Sequence, residues 1–318
     1  MAGTDRATAS IDTRDISPWT TYLFVFLAPA AIIYTLFAIY PLIDTVRLSL
    51  YEADPTGATK FVGLKNIVRL LTDPYLSGGF WNAFRNNVVF FVVHMVVQNS
   101  IGLALAVLLS LPGLTGRDVY RTLIFLPTML SVVIIGFIWQ LILSPLWGVA
   151  KGALVAVHLG SWFAPWLGLP STALITVSLI SVWQFVGIPM MLIYAALLNI
   201  PEDLSDAAVV DGAGQWRIFW SVKLPLIVPT LGVVAILTFV ANFNAFDLIF
   251  TIKGAIAGPN FSTDILGTYF YRTFFGYQLQ AGSATMGATV ATMMLLIILS
   301  VILVYFLGIQ RRMRRHAL

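Results

Sequence analysis

The sequence holds no cysteine, which excludes disulfides and thiolate metal sites. Charge is nearly as scarce. Asp, Glu, Lys and Arg make up 10% of the 318 residues, against roughly 25% in an ordinary soluble domain. A Gly-Lys pair is also absent: Thr59, Leu64, Ala150, Val222 and Ile252 precede the five lysines. A Walker A motif needs that pair at the phosphate, so nucleotide binding by that route is excluded. The three histidines (His94, His158, His316) are scattered, with no His-Glu-x-x-His spacing for a metal. Asp44 and Asp247 stand alone at the ends of apolar runs, so paired acids for hydrolysis are missing too. These absences predict a non-catalytic chain with no metal and no cofactor of its own. His94, in mid-run, reads as a hydrogen-bonded packing group.

Apolar sequence is what remains. Hydrophobic residues reach 59% and the mean hydropathy is +0.90. A soluble fold of this length cannot hide that much apolar surface, so the bilayer is the solvent. The net charge of +4 rests on few groups and points to no nucleic-acid partner. Runs free of acidic and basic residues cover 16–43, 86–116, 122–150, 152–201, 224–246 and 273–310. A helix of about 20 residues crosses the hydrocarbon, and every buried backbone amide must be bonded within it. The expectation is therefore an all-α membrane protein of six spans, near 22–43, 87–111, 122–143, 171–198, 226–248 and 286–307. The first run is too long for a signal-peptide core and reads as a retained span. The stretch 152–170, rich in Gly, Pro and Trp, reads as an interfacial segment.

With the N-terminus inside, the cytoplasmic pieces are 1–21, 112–121, 199–225 and 308–318. The last carries Arg311, Arg312, Arg314 and Arg315, and basic residues favour the cytoplasmic side. That tail also suits anionic lipid. The chain thus divides into an N-terminal segment (1–21), a membrane domain (22–310) and a basic tail (311–318).

The internal loop from Ile200 to Pro229 is the most structured polar feature. Pro201 suits a first helical position, and Glu202 and Asp203 suit a positive helix end. A short helix is expected to about Val210, with Gly212 and Gly214 allowing a sharp turn. A second short helix would follow, with Trp216, Phe219 and Trp220 on one ridge and Pro225 ending it. Ala207 and Ala208 are small enough for another backbone to approach, beside the charges of Asp206 and Asp211. On physics alone a protein-docking knob and a surface-lying linker helix remain equally open.

The order of Asp206, Ala207, Ala208, Asp211, Gly212, Ala213, Trp216, Phe219, Leu224 and Pro225 resembles the EAA loop of permease subunits of binding-protein-dependent ABC importers. Asp206 stands where that loop usually has glutamate. Tyr40-Pro41, Phe61-Val62-Gly63-Leu64-Lys65-Asn66, Asn82-x-x-Arg85-Asn86, Gly102 to Ala106, Arg121-Thr122-Leu123 with Leu126-Pro127, and Gly258-Pro259 are similar to the carbohydrate branch, on the MalF/UgpA-like side of a permease pair. The resemblance implies a type I importer permease (MetI/MalF-like) fold in a bacterial cytoplasmic (inner) membrane, with both termini in the cytoplasm. It implies a second permease, two ATPase subunits carrying ATP and Mg, and an extracytoplasmic solute-binding protein. In this reading Asp206 to Phe219 dock on the ATPase.

Two helical faces carry polar groups. Ser181, Gln184, Phe185 and Ile188 share one, and Thr238, Ala241, Asn242 and Ala245 share the other. Asn244 and Asp247 lie nearby. In maltose-type relatives the sugar site lies on these two helices, so Ser181, Gln184, Phe185, Ile188, Thr238 and Asn242 are the expected solute path. Polar residues also glue membrane helices together, which leaves packing as the open alternative for each. Another solute (a glycerol phosphate, peptide or polyamine), or remotely an enzyme or channel, stays open too.

Overall fold

A computed structural model describes residues 18–53, 59–278 and 280–310. The tail arginines Arg311 to Arg315 and the segment 1–17 lie outside the described residues. The described chain is mostly helical, with two small antiparallel hairpins, Tyr51–Ala53 with Thr59–Phe61 and Gly276–Tyr277 with Gln280–Ala281. Four helices are long and apolar enough to cross a membrane: Val25–Ser49, Pro74–Ser110, Gln215–Phe243 and Ala284–Gly308. Two bent pairs bring the number to six if each is one span: Arg117–Met129 with Val132–Ile142, and Ala173–Phe185 with Gly187–Leu198.

The span boundaries differ from the expected ones for identifiable reasons. The first helix runs past Asp44 to Ser49 because Asp44 and Arg47 pair at 2.7 Å, one turn apart. The second begins at Pro74, where Asp73 caps the backbone N–H groups of Tyr75 and Leu76. Its 37 residues therefore include Asn82 and Arg85, which lie outside the charge-free run 86–116. The expected single span at 122–143 is broken by 95°. Pro127 removes a donor, residues Leu126–Met129 tighten into a 3-10 turn, and Leu130 is extended. The span at 171–198 bends by 43° before Pro189, whose ring cannot bond the Phe185 carbonyl. Pro225 ends no helix. A π turn at Phe219–Lys223 precedes it and absorbs the missing donor, so Gln215–Phe243 is continuous.

Helix contacts follow small residues. Gly102 lies against Pro189 and Met190, where an added Cβ would come within 3.1 Å of the Met190 nitrogen. Ala106, one turn on, is fully buried in the same contact with Met190, Ile193 and Ile227. Buried asparagines tie the elements of the other end. Asn66 donates to the carbonyls of Ser49 (3.0 Å) and Tyr51 (2.8 Å), fixing the first hairpin to the end of the first helix. Asn87 donates to the Asn242 carbonyl and accepts from the Leu266 N–H, both at 2.9 Å.

Candidate functional site

The loop around Asp206 begins with the helix Glu202–Val210, in which no residue is buried. It closes as a Schellman cap. Gly212 sits at φ +79°, the Ala213 N–H donates to the Ala208 carbonyl (2.9 Å), and the Gly212 N–H to that of Val209 (2.9 Å). The chain then enters Gln215–Phe243 directly. Trp216, Phe219 and Trp220 cluster at ring distances of 5.3 to 6.4 Å. Asp206, Ala207, Asp211 and Gly212 are exposed, and Ala208, Ala213 and Phe219 half-buried. Val210 is 87% exposed and Trp216 75%. This is a short rigid element with apolar side chains in the open, joined without a break to a 29-residue helix.

Roughly 40 Å along that helix, at about 1.5 Å per residue, lies a cavity of about 460 Å³. Ser181, Phe185 and Ile188 form one wall, and Thr238, Ala241 and Asn242 another. Asn244 and Asp247 also line it. Gln184 does not: it is fully buried beside the cavity and donates to the Leu130 carbonyl at 3.3 Å. Its i+3 position puts it about 60° round the helix from Ser181, on the side away from Phe185.

The third wall was not expected from the sequence. Phe90, His94 and Gln98 come from Pro74–Ser110, where His94–Gln98 forms a π turn, a feature frequent at functional sites. His94 Nδ1 lies 2.8 Å from the Phe90 carbonyl, which can only accept, so Nδ1 carries a proton. Nε2 meets Ser181 Oγ at 3.0 Å. The signal for this wall was two polar residues four apart inside an apolar span. Asn242 is oriented in turn, its Nδ2 donating to the Thr238 carbonyl at 2.7 Å. The cavity therefore offers imidazole, hydroxyl and amide groups and the Asp247 carboxylate between apolar and aromatic walls. Its size falls within the roughly 300–1,000 Å³ of small-molecule sites. Among the described residues no lysine or arginine lines it.

Beyond the cavity, Asp264 and Arg272 form a buried pair, with Nη1 to Oδ1 at 3.2 Å and Nη2 to Oδ2 at 2.5 Å. Burial pushes the Asp264 carboxyl up, while Arg272 and the Thr268 hydroxyl pull against it. On the surface of the first hairpin, a hydrogen bond from Lys65 holds Glu52 below the usual carboxylate range. Among the described residues no three His, Cys, Asp or Glu side chains are grouped to hold a metal.

Known proteins place this architecture. The family model for the binding-protein-dependent transport system inner membrane component matches residues 98–315. The chain is 32% identical to the probable ABC transporter permease protein YurN of Bacillus subtilis (strain 168), over 87% of this chain and 92% of that one. It is 30% identical to the lactose transport system permease protein LacF of Rhizobium radiobacter, over 94% and 95%. Its fold is similar to a chain of a bacterial ABC transporter involved in the import of the acidic polysaccharide alginate. The TM-score there is 0.77 at 20% identity, covering 94% of this chain and 96% of that one. The protein belongs to the family of binding-protein-dependent transport system inner membrane components, as a non-catalytic ABC permease subunit.

Proposed function

We propose that the chain forms half of the translocation path for a neutral hydroxylated solute, a sugar or polyol, and takes its energy from an ATPase docked on the Glu202–Phe219 knob. The observation that carries the solute class is the cavity lining. Ser181, Thr238, Asn242, His94 and Gln98 supply uncharged hydrogen-bonding groups, and Phe185 supplies an aromatic face for sugar C–H groups. An anionic solute would call for basic residues, and the lining has none. The named solute of the LacF relative, lactose, is of this class.

The partners in this reading are a second permease, two ATPase subunits that carry ATP and Mg, and an extracytoplasmic solute-binding protein. Each bent helix pair counts as one span, which gives six. Both termini then lie in the cytoplasm, with the knob, and the Arg311–Arg315 tail fixes the last span. Closing of the ATPase dimer would move the knob, and the unbroken helix Gln215–Phe243 would carry that motion to the Thr238–Asn242 wall. The test is uptake by the assembled importer carrying Asn242→Ala. A raised KM or altered sugar preference is expected; unchanged transport and specificity would remove Asn242 from the path.

A further inference from the structure

A second cavity, of about 560 Å³, lies beyond the far end of Gln215–Phe243 from the knob and shares no lining residue with the first. It is walled by the start of the Pro74–Ser110 helix, the loop Asn260–Asp264, the helix Leu266–Phe275 and the Gln280–Ala281 strand. Asn87 ties the elements that carry the two cavities, through the Asn242 carbonyl on one side and the Leu266 N–H on the other.

Three features of this second cavity point to a ligand. The first is its chemistry. Tyr75, Phe261 and Tyr269 line it together with Asn82, Asn260 and Gln280, and the Tyr269 ring is buried with its hydroxyl donating to the Leu76 carbonyl. The ion pair of Asp264 and Arg272 lies at its base, with the Arg272 guanidinium 4.7 Å from the centre of the Phe261 ring. The two charges cancel each other, so the lining is polar without a net charge.

The second feature is backbone strain. Asn260 and Phe261 are consecutive non-glycine residues with left-handed backbone, at φ +51° and +54°. Such residues persist where the surroundings over-determine them, and they cluster at functional sites. Here the Asn82 amide, 2.9 Å from the Phe261 carbonyl, holds the turn. The held turn presents the Asn260 amide and the Phe261 ring to the cavity.

The third feature is bare backbone. Gly78 and Gly79 both line the cavity. At Gly79 an added Cβ would meet the Tyr269 ring at 2.7 Å, so helix packing accounts for that glycine. At Gly78 nothing lies within 4 Å of an added Cβ, and packing does not account for it. A glycine in an open helix wall costs about 1 kcal/mol relative to alanine and leaves room in the cavity.

We infer that this cavity is a vestibule subsite that binds one ring of the same neutral hydroxylated solute before it reaches the Ser181–Asn242 cavity. The inference rests on the solute class proposed above. Stacking of sugar C–H faces on the exposed rings of Tyr75 and Phe261 would supply affinity. The Asn82, Asn260 and Gln280 amides would accept and donate to hydroxyl groups.

The test uses the full chain in lipid nanodiscs. Saturation-transfer NMR is recorded with lactose, maltose and trehalose, and separately with a glucuronate-bearing disaccharide. Saturation transfer is expected to at least one neutral disaccharide. Gly78→Leu, which fills the vestibule in open space, and Tyr75→Ala are each expected to lose the vestibule's part of the signal. Asn242→Ala is expected to lose only the remainder. Signal that survives both vestibule variants and vanishes with Asn242→Ala overturns the subsite and leaves the central cavity standing. Signal lost with the vestibule variants and untouched by Asn242→Ala keeps the subsite and counts against the central one. Transfer to the glucuronate sugar alone, or to none of the four, overturns the neutral-solute subsite.

Discussion

The two ends of the Gln215–Phe243 helix are built on opposite rules. At the knob end, Glu202–Val210 buries none of its residues, and Trp216 and Val210 stand in the open. Backbone bonds of the helix and its Schellman cap hold the shape. At the other end, Asn87, Asn242, Asp264, Thr268 and Arg272 are buried and bonded to partners on other elements or across the turn. The first arrangement keeps its form while leaving its surface for another molecule. The second bonds largely within itself and fixes cavity walls, with Asn242 Oδ1 buried without a partner. An element that must engage a partner cannot spend its side chains on its own fold, whereas one that shapes a cavity must.

The largest effect is expected at the buried ion pair of Asp264 and Arg272. Arg272→Met leaves Asp264 buried without its partner, and unfolding of the detergent-solubilised chain is expected to become easier by about 3–5 kcal/mol. The double variant Asp264→Leu/Arg272→Met is expected to regain most of that loss. Asn87→Leu strands the Leu266 N–H and takes from the Asn242 carbonyl its second donor beside the Ala245 N–H, for an expected loss of about 2 kcal/mol on the same denaturation curve. Gly212→Ala forces a side chain into the left-handed position at φ +79° and is expected to cost about 1 kcal/mol. Trp216→Ala is expected to change chain stability by under about 0.5 kcal/mol, because the ring is already in the open. It should nevertheless abolish pull-down of the ATPase subunit. If Trp216→Ala destabilised the isolated chain as much as Asn87→Leu does, the contrast between the two ends would be lost.

What could be read from the sequence follows the same division. The knob is local. Its turn glycine, small alanines and flanking acids lie within 20 residues, so spacing alone placed the helix, the turn and the ridge. One local rule failed there: Pro225 was expected to end a helix, and the π turn before it lets the helix continue. The spans were legible as apolar runs, but their breaks were not, because the bends at Leu130, after Pro127, and at Phe185, before Pro189, depend on how the chain packs around a proline. The far end is non-local and was largely hidden. Asn66 bonds 15 and 17 positions away, and Asn87 bonds 155 and 179 positions away. Nothing in the text of the sequence separates these asparagines from solvent-facing ones. The cavity lies between these cases. Helical periodicity found two of its walls, and the fold brought Ser181, Phe185, Ile188, Thr238 and Asn242 together. It put Gln184 one position off the face, and it added the His94–Gln98 wall, whose one trace in the sequence is a pair of polar residues four apart in an apolar run.

The division of labour between the two ends has one direct measurement: solute-stimulated ATP hydrolysis by the assembled importer carrying Ala207→Trp or Gly212→Pro. The account predicts that both variants insert and fold in the membrane, that the chain still takes up its place beside the second permease, and that stimulation of hydrolysis and transport are lost together. Full coupling in either variant would contradict it.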